Sequence, residues 1–240
     1  MAFSKDRSRR ARSVVVLVLL VAVVSLVAVV LFGGGPLGDA SRDASSGSSV
    51  AASNAADGSV ASSQAQQDGH TMADVDASYD AATKQLLAKY EANPSDPSTL
   101  LNVANGYFDW GATALSHAQG AEDEQHATDL FNQATHYYDE YLATYPGSKS
   151  AEVDRAVSMF YAGDHAKAIQ TLETFVAQDD SFGPAWANLG MFYDADGRAD
   201  DARTVYERAI EADADDAYGA KTYAQQRLDA MDSAAAGDAS

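Results

Sequence analysis

The sequence contains no cysteine, and this absence excludes several kinds of site. Without a thiol there can be no disulfide, no cysteine nucleophile, no cysteine-ligated zinc and no lipid-modified cysteine anchor. Enzymatic motifs are also missing: the chain has no H-E-x-x-H, no G-x-S-x-G, no phosphate-binding loop and no dinucleotide-binding glycine fingerprint. We therefore expect no catalytic activity and no cofactor.

Basic residues are scarce and unevenly distributed. The chain has 16 lysine and arginine residues against 35 acidic ones, a formal net charge of −19. Residues 73–232 hold 10 basic and 29 acidic residues, whereas residues 1–32 hold five basic and one acidic. A domain this acidic is repelled by phosphate backbones and by anionic lipid. We therefore expect residues 73–232 not to bind nucleic acid.

One long hydrophobic run lies near the N-terminus, at 14–32. It contains no charge, and Ser25 is its only polar residue. As a helix it would be about 28 Å long, which matches a bilayer core of about 30 Å. The basic residues of 1–13 favour a cytoplasmic N-terminus. The sequence thus predicts a basic cytoplasmic tail at 1–13 and a transmembrane signal-anchor at 14–32, with all later residues outside the cytoplasm, at the cell membrane.

A cleaved signal peptide is the alternative for this run. The apolar core of such a peptide usually has about 7 to 15 residues and is followed by a small-x-small cleavage site. Here the run is longer, and the following GGGPLGDA contains no Ala-x-Ala triplet. We therefore favour a retained anchor. The next segment, 33–72, is composed of Gly, Ser, Ala, Asp and Gln with almost no large apolar residue, which predicts a disordered linker.

The most regular stretch of the chain is 183–216. Leu189 and Tyr193 lie four residues apart, on one face of a helix. Small residues stand where two helices would approach closely. The marked positions are Trp186, Leu189, Gly190, Tyr193, Gly197, Ala202, Tyr206 and Ala209. This stretch resembles the tetratricopeptide repeat, a 34-residue helix–turn–helix unit with the pattern W-x2-L-G-x2-Y and A-x3-[FY]-x2-A. It departs from the family at Ala214, where proline is usual.

Weaker copies of the pattern precede this stretch. Gly163, Ala168 and Leu172 recur with the 34-residue period and place a second unit at 149–182. In the first unit, at about 97–148, the corresponding glycine and alanine are Gly111 and Ala134. Their spacing reveals an insertion of 18 residues, or five helical turns. We expect both helices of this unit to be lengthened into a protruding hairpin with a bend near Gln119 and Gly120.

The predicted fold is all-α. The resemblance implies a tetratricopeptide-like solenoid of helical hairpins, about eight helices at 73–232, preceded by the transmembrane helix and the linker. Single helices are expected to close its two ends, at 73–92 and 216–231, because a repeat array needs capping elements with a polar outer face. Residues 233–240 form a small polar tail.

The resemblance also implies a concave groove, lined by the first helices of successive units, that binds peptide segments. Matched by position, this groove has mostly apolar and aromatic residues, suited to an amphipathic helix or an extended apolar segment. Packing within the core is an equally good explanation for any one of them. The candidates are Leu101, Asn105, Phe108, Asp109, Val153, Val157, Phe160, Tyr161, Ala187, Met191, Asp194, Lys221 and Gln225.

The function that follows is a membrane-anchored, extracytoplasmic scaffold that binds a partner protein or peptide. The resemblance suggests a role in secretion, envelope assembly or cytochrome maturation. One alternative is a metal-dependent enzyme that uses the hairpin 112–133, where His117 and His126 could face each other near Glu122 and Asp129. The other alternative is a structural element that associates with itself.

Overall fold

Eight α-helices make up the part of the chain that the computed structural model describes, residues 71–238. All regular structure in this part is helical, which confirms the predicted all-α class and the number of helices. The helices are α1 (Met72–Ala92), α2 (Pro97–His117), α3 (Ala121–Thr144), α4 (Lys149–Tyr161), α5 (His165–Gln178), α6 (Gly183–Ala195), α7 (Ala199–Ala212) and α8 (Ala220–Asp238).

The predicted anchor at 14–32, the tail at 1–13 and nearly all of the predicted linker lie outside the described residues. Within residues 71–238, none of the helices is both apolar and long enough to cross a bilayer. The linker was predicted to extend to residue 72, but α1 already begins at Met72. The reason is a capping box: the Thr71 side chain accepts a hydrogen bond from the Asp74 backbone, and the Asp74 carboxylate accepts one from the Thr71 backbone.

The helices form a curved array of antiparallel pairs. Each helix packs against the next one in the chain. In addition, α4 packs against α6 and α6 packs against α8, whereas the second helices α3, α5 and α7 make no comparable contacts with one another. Because α4, α6 and α8 lie closest together, we assign them to the inner face of the array, and the repeat pattern places α2 on the same face.

The core between α4 and α8 is continuous and depends on one close approach. Gly190 of α6 faces the ring of Tyr206 of α7, which is fully buried. A Cβ atom built on Gly190 would lie 2.5 Å from Cε1 of Tyr206. The turn between these two helices contains Gly197 with a φ of +79°, a left-handed conformation that glycine adopts without steric cost. The marked positions of the repeat pattern thus have direct packing roles in this hairpin.

The 18-residue insertion lengthens the first hairpin, as predicted, and the added turns pack against α1. Helices α2 and α3 have 21 and 24 residues, against 13 and 14 for α6 and α7. The added turns are covered by α1, whose Val75 packs into a cluster with Trp110 and Leu130. The Asp76 carboxylate accepts a hydrogen bond from the Trp110 indole at 2.8 Å and pairs with Nε2 of His126 at 2.8 Å.

The closing helix was predicted at 216–231, but it begins later and ends later than that. Most of the predicted tail at 233–240 belongs to the helix. Helix α8 begins only at Ala220 because the buried Asp213 carboxylate accepts hydrogen bonds from the backbone amides of Tyr218 and Ala220. This holds the preceding residues in a turn. The helix then continues to Asp238 through an alanine-rich segment, and alanine has the highest intrinsic preference for helix.

Replacing Gly190 with alanine tests the close approach between α6 and α7. The added methyl group would overlap the rigid, buried ring of Tyr206, and overpacking of this kind costs about 1 to 3 kcal/mol. We expect the melting temperature of Gly190→Ala to fall by roughly 2 to 8 °C for a domain of this size. Thermal unfolding followed by circular dichroism measures it.

The matched control is Gly120→Ala. Gly120 lies between α2 and α3, and a Cβ atom there would meet no other atom within 4 Å. Its melting temperature should stay close to that of the wild type. Equal melting temperatures for wild type and Gly190→Ala would contradict the packing described here.

Candidate partner-binding face

Five of the thirteen predicted groove residues lie in the core and cannot contact a partner. The packing of α4 against α6 and of α6 against α8 encloses their side chains, so their assignment to the groove was wrong. Phe160, for example, stacks on Phe192 with ring centroids 4.3 Å apart. The exposed fractions are 2% for Val153, 6% for Val157, 7% for Phe160, 5% for Ala187 and 1% for Met191.

The other eight predicted residues keep part of their surface accessible. Seven are half-buried and Gln225 on α8 is exposed, so the inner face retains a narrow accessible strip. The half-buried residues are Leu101, Asn105, Phe108 and Asp109 on α2, Tyr161 on α4, Asp194 on α6 and Lys221 on α8. Their role in partner binding remains a prediction.

Helices α2, α3 and α4 meet next to this strip. The close approach that joins α4 to α6 and α6 to α8 is not repeated to the same extent between α2 and α4, but Phe108 of α2 packs against the core that α4 shares with α6. Three aromatic rings connect the three helices. Phe108 contacts Phe131 of α3 edge to face, with centroids 5.7 Å apart, and Phe131 stacks on Tyr161 at 5.1 Å.

Two carboxyl groups of this region have raised pKa values. Burial raises the pKa of Asp109 to about 6. Burial, and then the charge of Asp109, raise the pKa of Asp154 on α4 to about 7. Both residues are half-buried, and no described residue forms a hydrogen bond or an ion pair with either carboxylate. Each carboxyl group therefore keeps its proton to a higher pH than an ordinary aspartate does.

A buried tyrosine contacts the part of the strip that α2 contributes. The hydroxyl of Tyr138 on α3, which is 1% exposed, donates a hydrogen bond to Oδ1 of Asn105 at 2.8 Å. This bond orients the Asn105 side chain towards α3, so its carbonyl oxygen is already engaged. Burial, together with the charges of Asp154 and Asp109, raises the pKa of Tyr138 well above its ordinary value, and the hydroxyl therefore stays protonated.

The other end of the strip is neutralised within the protein. Arg227 of α8 forms an ion pair with Asp194, and the Lys221 ammonium donates a hydrogen bond to the Ala214 carbonyl at 2.7 Å. The sequence prediction included Asp194 and Lys221 but missed Arg227 and Asp154. Their positions do not match the groove positions of the repeat pattern, and only the packing of α2, α4, α6 and α8 brings them to this face.

The hairpin 112–133 does not assemble the metal site that the alternative hypothesis requires. His126 pairs with Asp76 of α1, and Nδ1 of His117 lies 2.9 Å from the Thr113 carbonyl oxygen of its own helix. Among residues 71–238 no three histidine, aspartate or glutamate side chains are grouped closely enough to hold a metal ion. The two histidines are instead used separately, one of them to fix α1 onto α3.

A concavity of about 530 Å³ lies between α3, α4 and α5. Leu142 and Phe175 contribute apolar surface to it. Arg155 of α4 pairs with Asp139 of α3 across its lining, and Glu152 and Lys167 add one charge of each sign.

The raised pKa values predict how stability depends on pH. Both carboxylates bind protons more tightly in the folded chain than in the unfolded chain, where the pKa of aspartate is about 3.9. The folded state therefore holds more protons between about pH 4 and pH 7, and its stability falls as pH rises through that range. Asp154→Asn removes most of this contribution, on the order of 2 kcal/mol between pH 5 and pH 8.

Urea unfolding at pH 5 and pH 8 measures the effect as a difference between variant and wild type. Glu207→Gln, at an exposed position on α7, makes the same change from carboxylate to amide at a site remote from the inner face. We expect Asp154→Asn to gain stability relative to wild type at pH 8 but not at pH 5. The same pH dependence in Asp154→Asn and Glu207→Gln would rule out an uncompensated Asp154.

Comparison with known proteins gives one family match. Residues 159–226 match the family model of the tetratricopeptide repeat. The matched segment contains the end of α4, helices α5 to α7 and the first turns of α8. No curated protein matches the chain.

Several solved structures are similar to this chain at low sequence identity and low TM-score. A crystal structure of MamA is 20% identical with a TM-score of 0.44, and the alignment covers 69% of this chain and 98% of that one. A thermophilic TPR protein of Thermus thermophilus is 20% identical with a TM-score of 0.42, over 62% and 90% of the two chains. MamA 41-end from Desulfovibrio magneticus RS-1 is 16% identical with a TM-score of 0.32, over 68% and 98%.

These structural likenesses are too distant to carry an argument about function. The family match has more weight because it falls on the helices whose residues carry the repeat pattern. It supports the resemblance to the tetratricopeptide repeat for residues 159–226.

Proposed function

We propose that this protein is a membrane-anchored, extracytoplasmic scaffold that binds a segment of a partner protein on its inner face. The tetratricopeptide fold is a protein-interaction scaffold, because stacking of its repeats creates an extended concave surface. The anchor would be the apolar segment 14–32, and the binding surface would be the accessible strip along α2, α4 and α8. The protein would perform no catalysis of its own.

The observation that carries the proposal is the partial exposure of the inner face. Five of the predicted inner side chains are enclosed between α4, α6 and α8, but several aromatic and polar residues of α2 and α4 are only half-buried. Leu101, Phe108 and Tyr161 provide apolar surface there, and Asp109 provides a polar group. Such a mixture of apolar area and a few fixed polar groups is typical of surfaces that bind peptide segments.

Support for the location comes from the sequence alone. The run at 14–32 has the length and composition of a bilayer span, and basic residues precede it. The acidic character of residues 73–232 disfavours contact with an anionic membrane surface. The low-complexity segment at 33–70 would separate the repeat domain from the membrane. Secretion, envelope assembly and cytochrome maturation are the processes in which we propose such a scaffold acts.

Site-specific photo-crosslinking in intact cells tests the binding surface. A photoreactive amino acid at Leu101 or Gln225 lies on the accessible strip, whereas one at Gln133 of α3 or Glu207 of α7 lies on exposed positions of second helices. We expect the two inner positions to crosslink to the same partner and the two outer positions not to do so. Gln225, Gln133 and Glu207 are exposed, so the substitutions at these three positions leave the core unchanged.

Two results would contradict the proposed surface. One is that Gln133 and Glu207 crosslink to the same proteins as Leu101 and Gln225. The other is a complete lack of adducts from the inner positions in cells that express the folded protein, as judged by circular dichroism of the same variant after purification.

The membrane topology is tested separately. We expect the full chain to remain in the membrane fraction after alkaline carbonate extraction, and residues 71–240 to be digested by protease added outside spheroplasts. Deletion of 14–32 should release the protein into the soluble fraction, because the remaining segments lack a comparable apolar run. A domain protected from external protease would overturn the orientation, and a mature N-terminus after residue 32 would identify a cleaved signal.

A further inference from the structure

The concavity between α3, α4 and α5 is an elongated groove, which we call the outer groove. One face of α5 lines it from end to end, with residues that recur every three or four positions, over a helical rise of about 16 Å. These residues are Lys167, Gln170, Thr171, Thr174, Phe175 and Gln178. Asp139 and Leu142 of α3 form the opposite wall. Because α3 and α5 are second helices of their pairs, the groove opens on the side of the array opposite to the inner face.

The middle of the outer groove is mainly apolar. Leu142 is half-buried, and Phe175 is 8% exposed. The hydroxyls of Thr171 and Thr174 donate hydrogen bonds to backbone carbonyls of their own helix, at 2.7 and 2.8 Å. Because these donors are already used within α5, the two threonines contribute methyl groups to the groove rather than free hydroxyl donors.

Two charges that line the outer groove have no counterion in the described part of the chain. Arg155 of α4 is paired with Asp139 of α3. Glu152 of α4 and Lys167 of α5 line the same groove, but within residues 71–238 neither side chain forms an ion pair or a hydrogen bond. The groove therefore offers one free negative and one free positive charge to a ligand.

The two free charges lie at different levels along the groove. Helices α4 and α5 run antiparallel from the turn at 162–164, so Glu152 is level with about residue 174 of α5. Lys167 stands seven residues earlier on α5, a distance of roughly 10 Å along the helix axis. A ligand that meets both charges needs its own charges about as far apart, which corresponds to two turns of an α-helix.

We propose that the outer groove binds a short amphipathic helix of a partner protein, with one acidic and one basic residue about two turns apart. The apolar residues between these two would contact the middle of the groove. The basic residue would pair with Glu152 and the acidic residue with Lys167, which gives the partner both a direction and a register. This surface is separate from the inner face, so the inference does not depend on the proposed function.

A helix fits the outer groove better than an extended segment does. The walls and the floor are helices, whose backbone N–H and C=O groups are already paired with each other. An extended peptide would find no strand edge there to bind its own backbone groups, whereas a helix satisfies them internally. Two helices with a floor between them also match the common arrangement in which an amphipathic helix lies in a groove.

The test uses the full chain in nanodiscs of zwitterionic lipid and three fluorescent peptides. Each peptide is about 14 residues long, based on alanine with two central leucines, and it is stapled because an isolated helix of this length is only marginally stable. The peptides differ only at two positions seven residues apart, on the same face as the leucines. The mixed peptide has lysine and glutamate there, the acidic peptide has two glutamates, and the neutral peptide has two glutamines. Fluorescence anisotropy gives the affinities, and empty nanodiscs correct for binding to lipid.

We expect the wild type to bind the mixed peptide about three- to tenfold more tightly than the neutral peptide, as two partly exposed ion pairs would provide. The mixed and the neutral peptide have the same net charge, so the acidity of the chain does not affect this comparison. In Glu152→Lys both free charges of the groove are positive, and the acidic peptide should become the preferred one. Circular dichroism of the variant checks that it is folded.

The matched control is Glu207→Lys. It makes the same change of charge at an exposed position on α7, outside the outer groove. It should bind the three peptides in the same order of affinity as the wild type. All preferences should weaken as salt is raised, because screening reduces the attraction between exposed charges.

A single cysteine gives the location of the bound peptide, because the chain has no other cysteine. Gln178 lies at one end of the outer groove and is exposed. A nitroxide attached to Gln178→Cys should broaden the NMR signals of the bound, ¹⁵N-labelled mixed peptide. The same label on Glu207→Cys should not broaden them.

Each of the opposite results would overturn the proposal. They are equal affinities of the wild type for the mixed and neutral peptides, no binding of any peptide, and an unchanged order of peptides in Glu152→Lys. Broadening from the label on Glu207→Cys alone would place the peptide elsewhere. Dimers of the wild type in light scattering that are lost in Glu152→Lys but kept in Glu207→Lys would assign the groove to a second copy of the chain instead. The crosslinking experiment on the inner face is decided independently of all these results.

Discussion

Each helical pair in this chain has an apolar face that the pair cannot cover by itself, and the rest of the structure follows from that constraint. Helices α6 and α7 satisfy it by approaching until Gly190 meets the ring of Tyr206, and by packing against α4, α5 and α8 on either side. The same need explains α1, which covers the lengthened first hairpin through Val75, and α8, which closes the other end. Burial of apolar area dominates the energetics, while single ion pairs at the surface contribute little.

The first hairpin departs from the regular array. Its helices α2 and α3 are longer than those of the other pairs, and α1 covers the added turns. Phe108 of α2 still packs against the core of α4 to α8, next to Phe131 of α3 and Tyr161 of α4. The insertion therefore lengthens one pair of helices without separating that pair from the rest of the core.

How well the sequence predicts the environment of a residue depends on the kind of interaction that determines this environment. The period of 34 residues located the helical pairs, because spacing along a helix determines which side chains share a face. The same spacing assigned Phe160 and Met191 to an accessible groove, where they are in fact enclosed. Position within a repeat specifies the direction of a side chain but not the distance to the next helix. Asp154 and Arg227 were missed for the complementary reason, since they stand outside the groove positions of the pattern.

The amino-acid sequence by itself determined the helical class, the period of the repeat and the insertion, because each depends on composition or on spacing along the chain. Tertiary structure decided which inner-face residues are accessible, which acidic residues are paired and how α1 covers the insertion. These depend on distances between helices remote in sequence, set by the volumes of side chains such as Tyr206 and by the length of α3. The repeat pattern specifies spacing along the chain and not the distances between helices. Those distances are set only when all the helices of 71–238 pack together.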